Sequence, residues 1–399
     1  MATRRILVSA GDPSGDLILS HIVEALRKLS PEPLEFEGLA GPQSAAAGVK
    51  LLAESSDVAV VGIWEVLARL RTIFGVLARL EARLPEVDSL LCVDFPDFNL
   101  KLAKMAQARG RPVDYVVAPQ VWAWRGGRMP LIRRLVRRLY PALPFEEELF
   151  VDAGVSAKFM GHPLRDDLPP RNRMGAREEM GLARDASLLA VLPGSRIGEI
   201  QRHLPLLLDT WEQFRVLRRR RVLKGEWKAL LPLAPGWDEP KFFGILKAPD
   251  AERLRALLAS GEWVLARDSR RVLMAADFGW VASGTATLEA AYYQLPHILF
   301  YRLSGFSAFL IRRMSRYFTE EGGSAGLPNI LLGRPVIPEL LQDDLSPTRL
   351  AAESVELLTD PVRMNTLRKS LRFVPKKLGE VGVAERIAAD LLAVWKRPT

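Results

Sequence analysis

The turn at residues 283–289 carries the residue types from which a phosphate and ribose site is built. It joins a predicted buried strand, residues 275–281, to a predicted helix. Gly284 lets the backbone come close to a ligand, while N–H groups and hydroxyls at the start of a helix donate to anionic oxygens. An ordinary helix cap would use the same residues. The residues that could contact a nucleotide are Ser283, Gly284, Thr285, Thr287 and Glu289.

A second turn of similar chemistry follows an earlier strand pattern in the same half of the chain. After Leu192 the sequence reads Pro-Gly-Ser-Arg, and Glu199 then begins a helical pattern. Gly194 and Ser195 permit close approach of a ligand, and Arg196 offers phosphate a planar, charge-assisted pair of donors. Alone this turn is a weak signal. Paired with residues 283–289 on another strand of the same sheet, it predicts a diphosphate-plus-ribose site.

Carboxylates follow one predicted strand of the first half. Asp94 comes directly after an apolar run, and Asp97 follows Pro96, where it is placed to cap the next helix. A carboxylate at a strand end can take a proton from an attacking hydroxyl, a role worth ~10²–10⁴ in rate. Asp94 is therefore the candidate general base, and a structural aspartate is the alternative.

The first strand pattern ends in the turn 11–16, Gly-Asp-Pro-Ser-Gly-Asp. This turn has neither the G-x-G-x-x-G spacing nor the Walker lysine of nucleotide loops. Asp12 and Asp16 would repel a bare diphosphate, so a role for them and Ser14 on the acceptor side is chemically easier. Turn formation and helix capping are the alternative. Further along, His162 is either a second acid/base or a positioned residue of a linker.

Size and composition predict a globular protein of two domains. A chain of 399 residues is long for one core, and 48% hydrophobic with 26% charged residues is ordinary for a globular protein. The single cysteine, Cys92, lies in an apolar strand pattern and is predicted to be a buried thiol, which fits a reducing compartment. No run approaches the ~20 apolar residues of a spanning helix, so we expect a cytosolic or peripheral membrane protein.

A net charge of +9 favours anionic partners such as a nucleotide, a phospholipid surface or nucleic acid. Arginine runs at 133–138 and 218–221 have no accompanying helix-turn-helix, zinc-ligand or aromatic-basic RNA motif. We interpret both runs as solvated helix faces with some ion pairing. Nucleic acid is therefore not a predicted partner.

Short apolar runs alternate with helical patterns along the chain, which indicates βαβ units and parallel sheets. The predicted fold is α/β, with two doubly wound Rossmann-like domains facing across a cleft. We expect domains at 1–167 and 168–346, followed by helices at 347–399 that could pack back across the first domain; Ser346 and Pro347 begin that helical tail. Strands are predicted at 6–10, 35–39, 89–94, 113–118, 139–142, 188–192, 229–233, 263–266, 277–282 and 297–301.

Taken in their order along the chain, nine short motifs resemble those of the lipid-A-disaccharide synthases, which are glycosyltransferases of the two-domain GT-B fold. The resemblance runs along nearly the whole chain, and although each motif alone is common, the ordered set is specific. The motifs are GDPSGD at 11–16, AGP at 40–42, GIWEVL at 62–67, DFPDFN at 94–99, VWAW at 121–124, LPGSR at 192–196, SGTATLE at 283–289, LPN at 327–329 and PELLQ at 338–342.

This resemblance implies a reaction in lipid A (lipopolysaccharide) biosynthesis. UDP-2,3-diacylglucosamine would donate its sugar to the 6-hydroxyl of 2,3-diacylglucosamine 1-phosphate, giving the β-1,6-linked disaccharide 1-phosphate and UDP. An α-linked donor and a β-linked product require inversion, and hence one in-line displacement. Asp94 matches the family's proposed base, Arg196 and Asn329 match positions associated with donor binding or catalysis, and Gln342 lies in a motif that closes on the donor.

The chain also departs from the family's pattern. Members commonly carry Glu at the position of Asp12 and Ser at that of Gln120, and the run 320–326 is atypical. These differences leave the reaction intact but weaken inferences about acceptor contacts. Because the chain has no metal-type D-x-D motif, helix N-termini and cationic side chains would offset the charge on departing UDP. We therefore expect no required metal and no cofactor.

Acylated substrates give a second interpretation to the helical pattern at 60–80. Its apolar face would pack on the sheet or, because such substrates lie in a bilayer, touch an anionic membrane surface. A weaker candidate patch is 306–318. The expected location is the cytoplasmic face of the inner membrane of a Gram-negative-type bacterium, with a homodimer as a further expectation. The residues of the face are Trp64, Leu67, Leu70, Ile73, Phe74 and Leu77.

Two other functions compete with this one. Another UDP-sugar transferase, or a UDP-sugar epimerase that transfers nothing, would keep the nucleotide site of the second half. A nucleic-acid-binding protein would show salt-sensitive affinity for RNA or DNA. Only the net charge of the chain favours the nucleic-acid-binding function.

Overall fold

Parallel strands alternate with helices along the chain. The structure, a computed structural model, describes residues 3–58, 63–122, 126–220, 223, 225–233, 237–302, 324 and 326–396, and for residues 63–69 it describes the backbone alone. The chain divides into two units. Unit 1 comprises residues 1–168 and 378–399, and unit 2 comprises residues 169–377.

Unit 1 contains a six-stranded parallel sheet in the order β3-β2-β1-β4-β5-β6. The order reverses between β1 and β4, which is the doubly wound arrangement of a Rossmann fold. Every residue of β4 is buried, as expected of a parallel strand covered by helices on both faces. The strands are β1 (Arg4–Ala10), β2 (Leu34–Ala40), β3 (Lys50–Glu54), β4 (Ser89–Val93), β5 (Val113–Val116) and β6 (Val136–Tyr140).

Unit 2 repeats this arrangement in the order β12-β11-β10-β7-β8-β9, again all parallel. Its order reverses between β10 and β7. The strands are β7 (Ser187–Leu192), β8 (Trp227–Pro232), β9 (Trp263–Ala266), β10 (Phe278–Ala282), β11 (His297–Tyr301) and β12 (Glu339–Leu341). The α/β prediction with two Rossmann-like domains is thus confirmed.

Helices cover the sheets and bury their apolar stripes in the two cores. In unit 1 they are Pro13–Leu29, Pro42–Ala46, Ser55–Val58, Ile63–Arg83, Pro96–Ala108, Met129–Leu135, Pro144–Asp152, Leu164–Asp167 and Val383–Trp395, with 3-10 turns at Leu84–Glu86 and Gly126–Arg128. In unit 2 they are Arg173–Glu179, Ile197–Arg220, Glu239–Gly244, Ala248–Ala259, Ser269–Ala275, Thr285–Tyr292, Leu327–Leu332, Pro347–Thr359, Pro361–Leu371 and Val374–Lys377, with a 3-10 turn at Gln342–Asp344.

The last helix, Val383–Trp395, is part of unit 1. Its N-terminus is capped by Asp166, whose carboxylate accepts hydrogen bonds from three successive backbone N–H groups, residues 382–384, at 2.6–2.9 Å. At its other end the indole of Trp395 donates to the fully buried Asp114 at 2.7 Å. Helices at 347–377 instead fall in unit 2. The predicted start of this helical tail is confirmed, since Ser346 caps a helix that begins at Pro347.

Two strands were not predicted, and both lie at the edges of their sheets. β3 has exposed charged residues at both ends, and β12 is only three residues long. A short edge strand buries too little apolar surface to show a clear pattern in the sequence. The predicted strand at 139–142 lies three residues too late, because β6 begins at Val136.

The arginine run at 133–138 is divided between a helix and a strand. Met129–Leu135 is helical, and the rest of the run forms the start of β6. Arg137 there makes a bidentate ion pair with buried Asp114, with its Nε 3.0 Å from Oδ1. The interpretation as a solvated helix face was wrong for this part of the run. The second run lies at the end of the helix Ile197–Arg220, and residue 221 is outside the described residues.

Candidate active site

The two predicted nucleotide turns leave neighbouring strands of unit 2. β7 and β10 are hydrogen-bonded, and Leu192 pairs with Val281. The turns at 193–196 and 283–285 therefore begin side by side at the carboxyl edge of the sheet. The strand order reverses at this point, where open α/β sheets bind their ligands. The expectation that both turns share one sheet edge is confirmed.

The turn after β7 is shaped by a carboxylate that sequence reasoning had not selected. Gly194 has φ +110°, and a Cβ there would lie 2.4 Å from Oε2 of Glu199. This oxygen accepts from the backbone N–H groups of Ser195 and Arg196 at 3.1 and 3.3 Å. Tyr301 donates to the other oxygen at 3.0 Å. The backbone donors of the turn thus face Glu199, and the exposed guanidinium of Arg196, 3.5 Å from Oε1 of the same carboxylate, is the cationic group of the turn.

The turn after β10 is open on its outer side. Gly284 has φ +143°, and a Cβ there would meet no atom within 4 Å, so the backbone conformation rather than crowding requires glycine. Gly284 and Thr285 are exposed and Ser283 is half-buried. Thr287, in contrast, is fully buried and donates to the Gly284 carbonyl at 2.7 Å, which gives it an internal role. The exposed residues adjoin the N-terminus of the helix Thr285–Tyr292, where anions are favoured.

Glu289 lies one turn into this helix and is mostly shielded from solvent. Its Oε1 is 3.4 Å from Nε of Arg270, which comes from the helix Ser269–Ala275. This ion pair orients the carboxylate. A carboxylate held in this way can accept a hydrogen bond from a sugar hydroxyl.

Asn329 uses its entire side-chain amide within the protein. Its Nδ2 donates to the Ile337 carbonyl at 2.8 Å and to Glu339 at 2.6 Å. Its Oδ1 accepts from the N–H groups of Val336 and Ile337, both at 2.8 Å. With two donors and two acceptor sites engaged, no capacity remains for a substrate. The structure therefore gives Asn329 the role of holding the segment that leads into β12, and direct participation in catalysis is not supported.

Gln342 lies at the carboxyl end of that same edge strand. It has φ +52°, an uncommon conformation for a residue other than glycine, and it opens the 3-10 turn Gln342–Asp344. β12 is separated from β10 by β11. Gln342 therefore lies on the same sheet edge as the two nucleotide turns, but not on an adjacent strand.

In unit 1, the end of β4 presents Asp94 on a strained backbone. Asp94 and the following Phe95 both adopt left-handed conformations, with φ +46° and +49°. The Asp94 carbonyl accepts from Asn99 Nδ2 at 2.8 Å and from the Tyr115 hydroxyl at 2.6 Å. Buried Asn99 in turn accepts from the hydroxyl of Ser9 at 2.6 Å. This buried cluster fixes the backbone through the Asp94 carbonyl and does not occupy the Asp94 carboxylate.

The environment of Asp94 suits a general base. Desolvation, with a further contribution from the nearby charge of Asp12, raises the pKa of Asp94 from 3.8 to about 6, while a hydrogen bond from the Phe95 N–H lowers it. A base is most effective when its pKa is close to the working pH. Asp12 follows β1, the strand next to β4, so the two carboxylates lie at the point where this sheet reverses its order.

The other residues of the turn at 11–16 have structural contacts. Asp12 caps the helix Pro13–Leu29 by accepting from the Gly15 N–H at 2.6 Å, and Ser14 donates to the same oxygen at 3.2 Å. Asp16 is buried and accepts three backbone N–H groups, those of residues 41, 43 and 44, at 2.8–3.1 Å. Asp16 is therefore corrected from an acceptor contact to a helix cap, while Asp12 and exposed Ser14 remain at the sheet edge.

Two more candidates are engaged within unit 1. Asp97 is exposed and forms an ion pair with Arg128. His162 accepts from the Leu164 N–H at 3.2 Å, and desolvation lowers the pKa of its imidazole to about 4. A neutral imidazole whose acceptor nitrogen is occupied favours the positioning role over that of a second acid/base. The predicted buried thiol is confirmed, since Cys92 is fully buried and free.

The apolar face at 60–80 divides into core and surface residues. Leu77 is buried in the main core of unit 1, and Ile73 packs partly against that core. Leu77 is thereby corrected from a membrane contact to a core residue. Phe74 is 54% exposed, and Leu70 is half-buried. The side chains of Trp64 and Leu67 and the second candidate patch, 306–318, lie outside the described residues.

Within the described ranges, no group of three or more His, Cys, Asp or Glu side chains is arranged to hold a metal ion. Among the same residues, no helix has the length and apolar character needed to cross a membrane.

Comparison with known proteins identifies the family of the chain. The model of the lipid-A-disaccharide synthetase family matches residues 6–386 of the chain. The chain belongs to this family. A lipid-A-disaccharide synthase from Myxococcus xanthus is 38% identical over 391 residues, covering 97% of each chain. One from Syntrophus aciditrophicus is 38% identical and covers 100% of this chain and 99% of its own.

Solved structures of other proteins share the fold of this chain. UDP-GlcNAc 2-epimerase from Methanocaldococcus jannaschii, in complex with UDP-GlcNAc and UDP, has a TM-score of 0.58 at 12% identity and covers 98% of this chain and 100% of its own. A calicheamicin glycosyltransferase has a TM-score of 0.56 at 15% identity, with coverage of 100% and 99%. At such low identity these likenesses concern the fold alone, which is GT-B with two Rossmann-like domains.

Proposed function

We propose that this protein is a lipid-A-disaccharide synthase, transferring 2,3-diacylglucosamine from its UDP derivative to the 6-hydroxyl of 2,3-diacylglucosamine 1-phosphate. The products are the β-1,6-linked disaccharide 1-phosphate and UDP, within lipid A biosynthesis. The observation that carries the proposal is the family match over residues 6–386, a region that contains both nucleotide turns and Asp94 at the carboxyl edges of the two sheets.

In the proposed reaction, Asp94 takes the proton of the acceptor 6-hydroxyl. The hydroxyl oxygen forms a bond to the anomeric carbon of the donor sugar while the bond from that carbon to the phosphate oxygen breaks. UDP leaves with the bonding electrons, and the sugar configuration inverts in a single displacement. A pKa raised to about 6 supports this role, because Asp94 is then deprotonated at neutral pH yet more basic than an exposed aspartate.

Negative charge grows on the diphosphate as UDP departs. We assign its stabilisation to Arg196, whose exposed guanidinium is held 3.5 Å from Glu199, and to the N-terminus of the helix that follows Gly284. Glu289, held by Arg270, is assigned to the ribose hydroxyls. We assign the hydroxyl groups of Ser195, Ser283 and Thr285 as further hydrogen-bond donors to the diphosphate oxygens.

We further propose that the protein works at an anionic membrane surface on the cytoplasmic face of the inner membrane. This rests on the acylated substrates and on exposed Phe74, whose ring lies 5.6 Å from the amino group of Lys101. An aromatic ring flanked by a cation is a common membrane-interface pair. Self-association as a homodimer is a separate proposal, which sedimentation of the purified protein would measure.

Acceptor-dependent release of UDP tests the central proposal. Purified protein would be given UDP-2,3-diacylglucosamine with and without 2,3-diacylglucosamine 1-phosphate, and the disaccharide would be sought by mass spectrometry. A synthase releases UDP only when the acceptor is present. An epimerase would change the donor sugar without the acceptor, and a different transferase would require another acceptor. Either result would contradict the proposal.

A further inference from the structure

A buried imidazole joins the ends of two strands in unit 2. His203 lies in the helix Ile197–Arg220 and is fully shielded from solvent. Its Nδ1 is 2.7 Å from the carbonyl oxygen of Pro193, the residue after β7. Its Nε2 is 3.3 Å from the backbone nitrogen of Arg302, the residue after β11. One side chain thus links two loop starts on the edge that carries the donor turns.

These contacts select one form of the ring. A carbonyl oxygen only accepts, so the shorter contact, with Pro193, places the proton on Nδ1. Nε2 is 3.3 Å from both the backbone nitrogen and the carbonyl oxygen of Arg302, and in this neutral form it accepts from the N–H. Burial lowers the pKa of His203, which favours the neutral ring. The rings of Phe300 and Tyr301 meet the imidazole edge-on, each at 5.3 Å. The ring orientation is therefore fixed by packing as well as by hydrogen bonds.

The linkage continues on both sides of the ring. Pro193 directly precedes Gly194, whose left-handed backbone sets the course of the turn to Arg196. The guanidinium of Arg302 donates to the carbonyl of Leu345, just past the 3-10 turn that begins at Gln342. His203 consequently connects the segment that presents Arg196 with the segment that follows β12.

We propose that His203 is a positioning residue of the donor site, which holds the Gly194–Arg196 turn in its binding geometry through the Pro193 carbonyl. This inference rests on the proposed function, because it takes the turn to bind the UDP diphosphate. Neither ring nitrogen is available to a ligand, so His203 acts through the backbone alone. Its loss should weaken binding of UDP rather than remove a step of the chemistry.

A matched control is available in the same sheet. His297 is also fully buried, and its Nδ1 contacts the Leu295 carbonyl at 2.8 Å, but it begins β11 and so lies at the amino edge, away from the donor turns. His203→Leu and His297→Leu each remove a buried imidazole from unit 2. Both should lower the free energy of unfolding, and only the first should change the affinity for UDP.

Calorimetric titration with UDP, together with kcat and KM for the donor, tests the proposal. We expect His203→Leu to raise the Kd for UDP and the KM for the donor by about tenfold, the equivalent of one lost hydrogen bond. His203→Asn keeps a donor near the Pro193 carbonyl and should recover most of the affinity. His297→Leu should leave the Kd within about twofold of that of the unchanged protein.

Each outcome decides the matter. An unchanged Kd for His203→Leu, or an equal loss for His297→Leu, would overturn the positioning role. If His203→Leu does not fold, His203→Asn and His203→Met replace it, and equal affinities of these two would also overturn the role. An unchanged protein that does not bind UDP would instead refute the proposed function.

Discussion

Replacing Asp94 with asparagine should reduce turnover strongly and also make the protein more stable at neutral pH. Asparagine keeps the shape of the side chain, tolerates the left-handed backbone and carries no charge. A pKa raised from 3.8 to about 6 means that folding disfavours the charged carboxylate. This difference corresponds to at most about 3 kcal/mol.

The sign of the pH dependence follows from the direction of this pKa shift. The folded state holds the Asp94 proton more tightly than the unfolded chain does. The stability that this proton contributes to the folded state is therefore fully present below pH 3.8 and is lost as the pH rises through about 6. The advantage of Asp94→Asn in the free energy of unfolding should then be about 3 kcal/mol at pH 8 and about half of that at pH 5.

Urea denaturation at the two pH values, combined with single-turnover kinetics, measures both effects. Turnover should fall by about 10²–10⁴-fold, and in the unchanged protein kcat/KM should drop as the pH falls through about 6. Asp88→Asn is the matched control, since exposed Asp88 lies just before the amino end of β4 and accepts from the Arg5 N–H at 2.8 Å. Its effect on turnover should be small. Near-normal turnover would remove Asp94 from the role of base, and a variant less stable at pH 8 would refute the electrostatic argument.

Three further predictions concern the donor turn, the segment before β12 and the membrane face. Gly194→Ala should weaken UDP binding by about tenfold or more in calorimetry, because its Cβ would collide with Glu199 and its φ of +110° is strained for alanine. Asn329→Ala should lower the free energy of unfolding by about 2–4 kcal/mol in urea titrations, since it leaves buried backbone groups without partners. Phe74→Glu should reduce sedimentation with anionic liposomes, while Phe373→Glu, an equally exposed phenylalanine of unit 2, should not; equal effects would contradict a specific face.

The sequence was most informative where burial imposes a simple pattern. Central strands such as β4 and β10 are buried throughout and mostly apolar, because helices cover both of their faces, and they were predicted. The edge strands β3 and β12 were not, because half of each is open to solvent or the strand is very short. The first residues of β6 lie within an arginine run, so the sequence there does not show the apolar pattern of a strand. Arg137 of this run is paired with Asp114, a partner that is distant in sequence.

For the site, glycine and hydroxyl patterns indicated which turns matter but not what each side chain contacts. Thr287, Asp16 and Asn329 have the chemistry of ligand contacts, yet their polar atoms are engaged by nearby backbone. Conversely, Glu199 and Tyr301 are about a hundred residues apart in sequence and meet only in the folded unit. The position of Glu199 three residues after Arg196 was the only local sign of its role.

The two units present functional groups at their sheet edges by different physical means. In unit 2, Gly284 adopts positive φ and is open on its outer side, so the backbone there can approach an anion closely, whereas Gly194 adopts positive φ where Glu199 leaves no room for a Cβ. In unit 1 a side chain must itself be presented, and Asp94 adopts positive φ against its preference, held by Asn99 and Tyr115. Substitutions that relieve strain should therefore stabilise unit 1 while impairing the base, whereas adding a side chain in the turns of unit 2 should impair nucleotide binding with no such gain in stability.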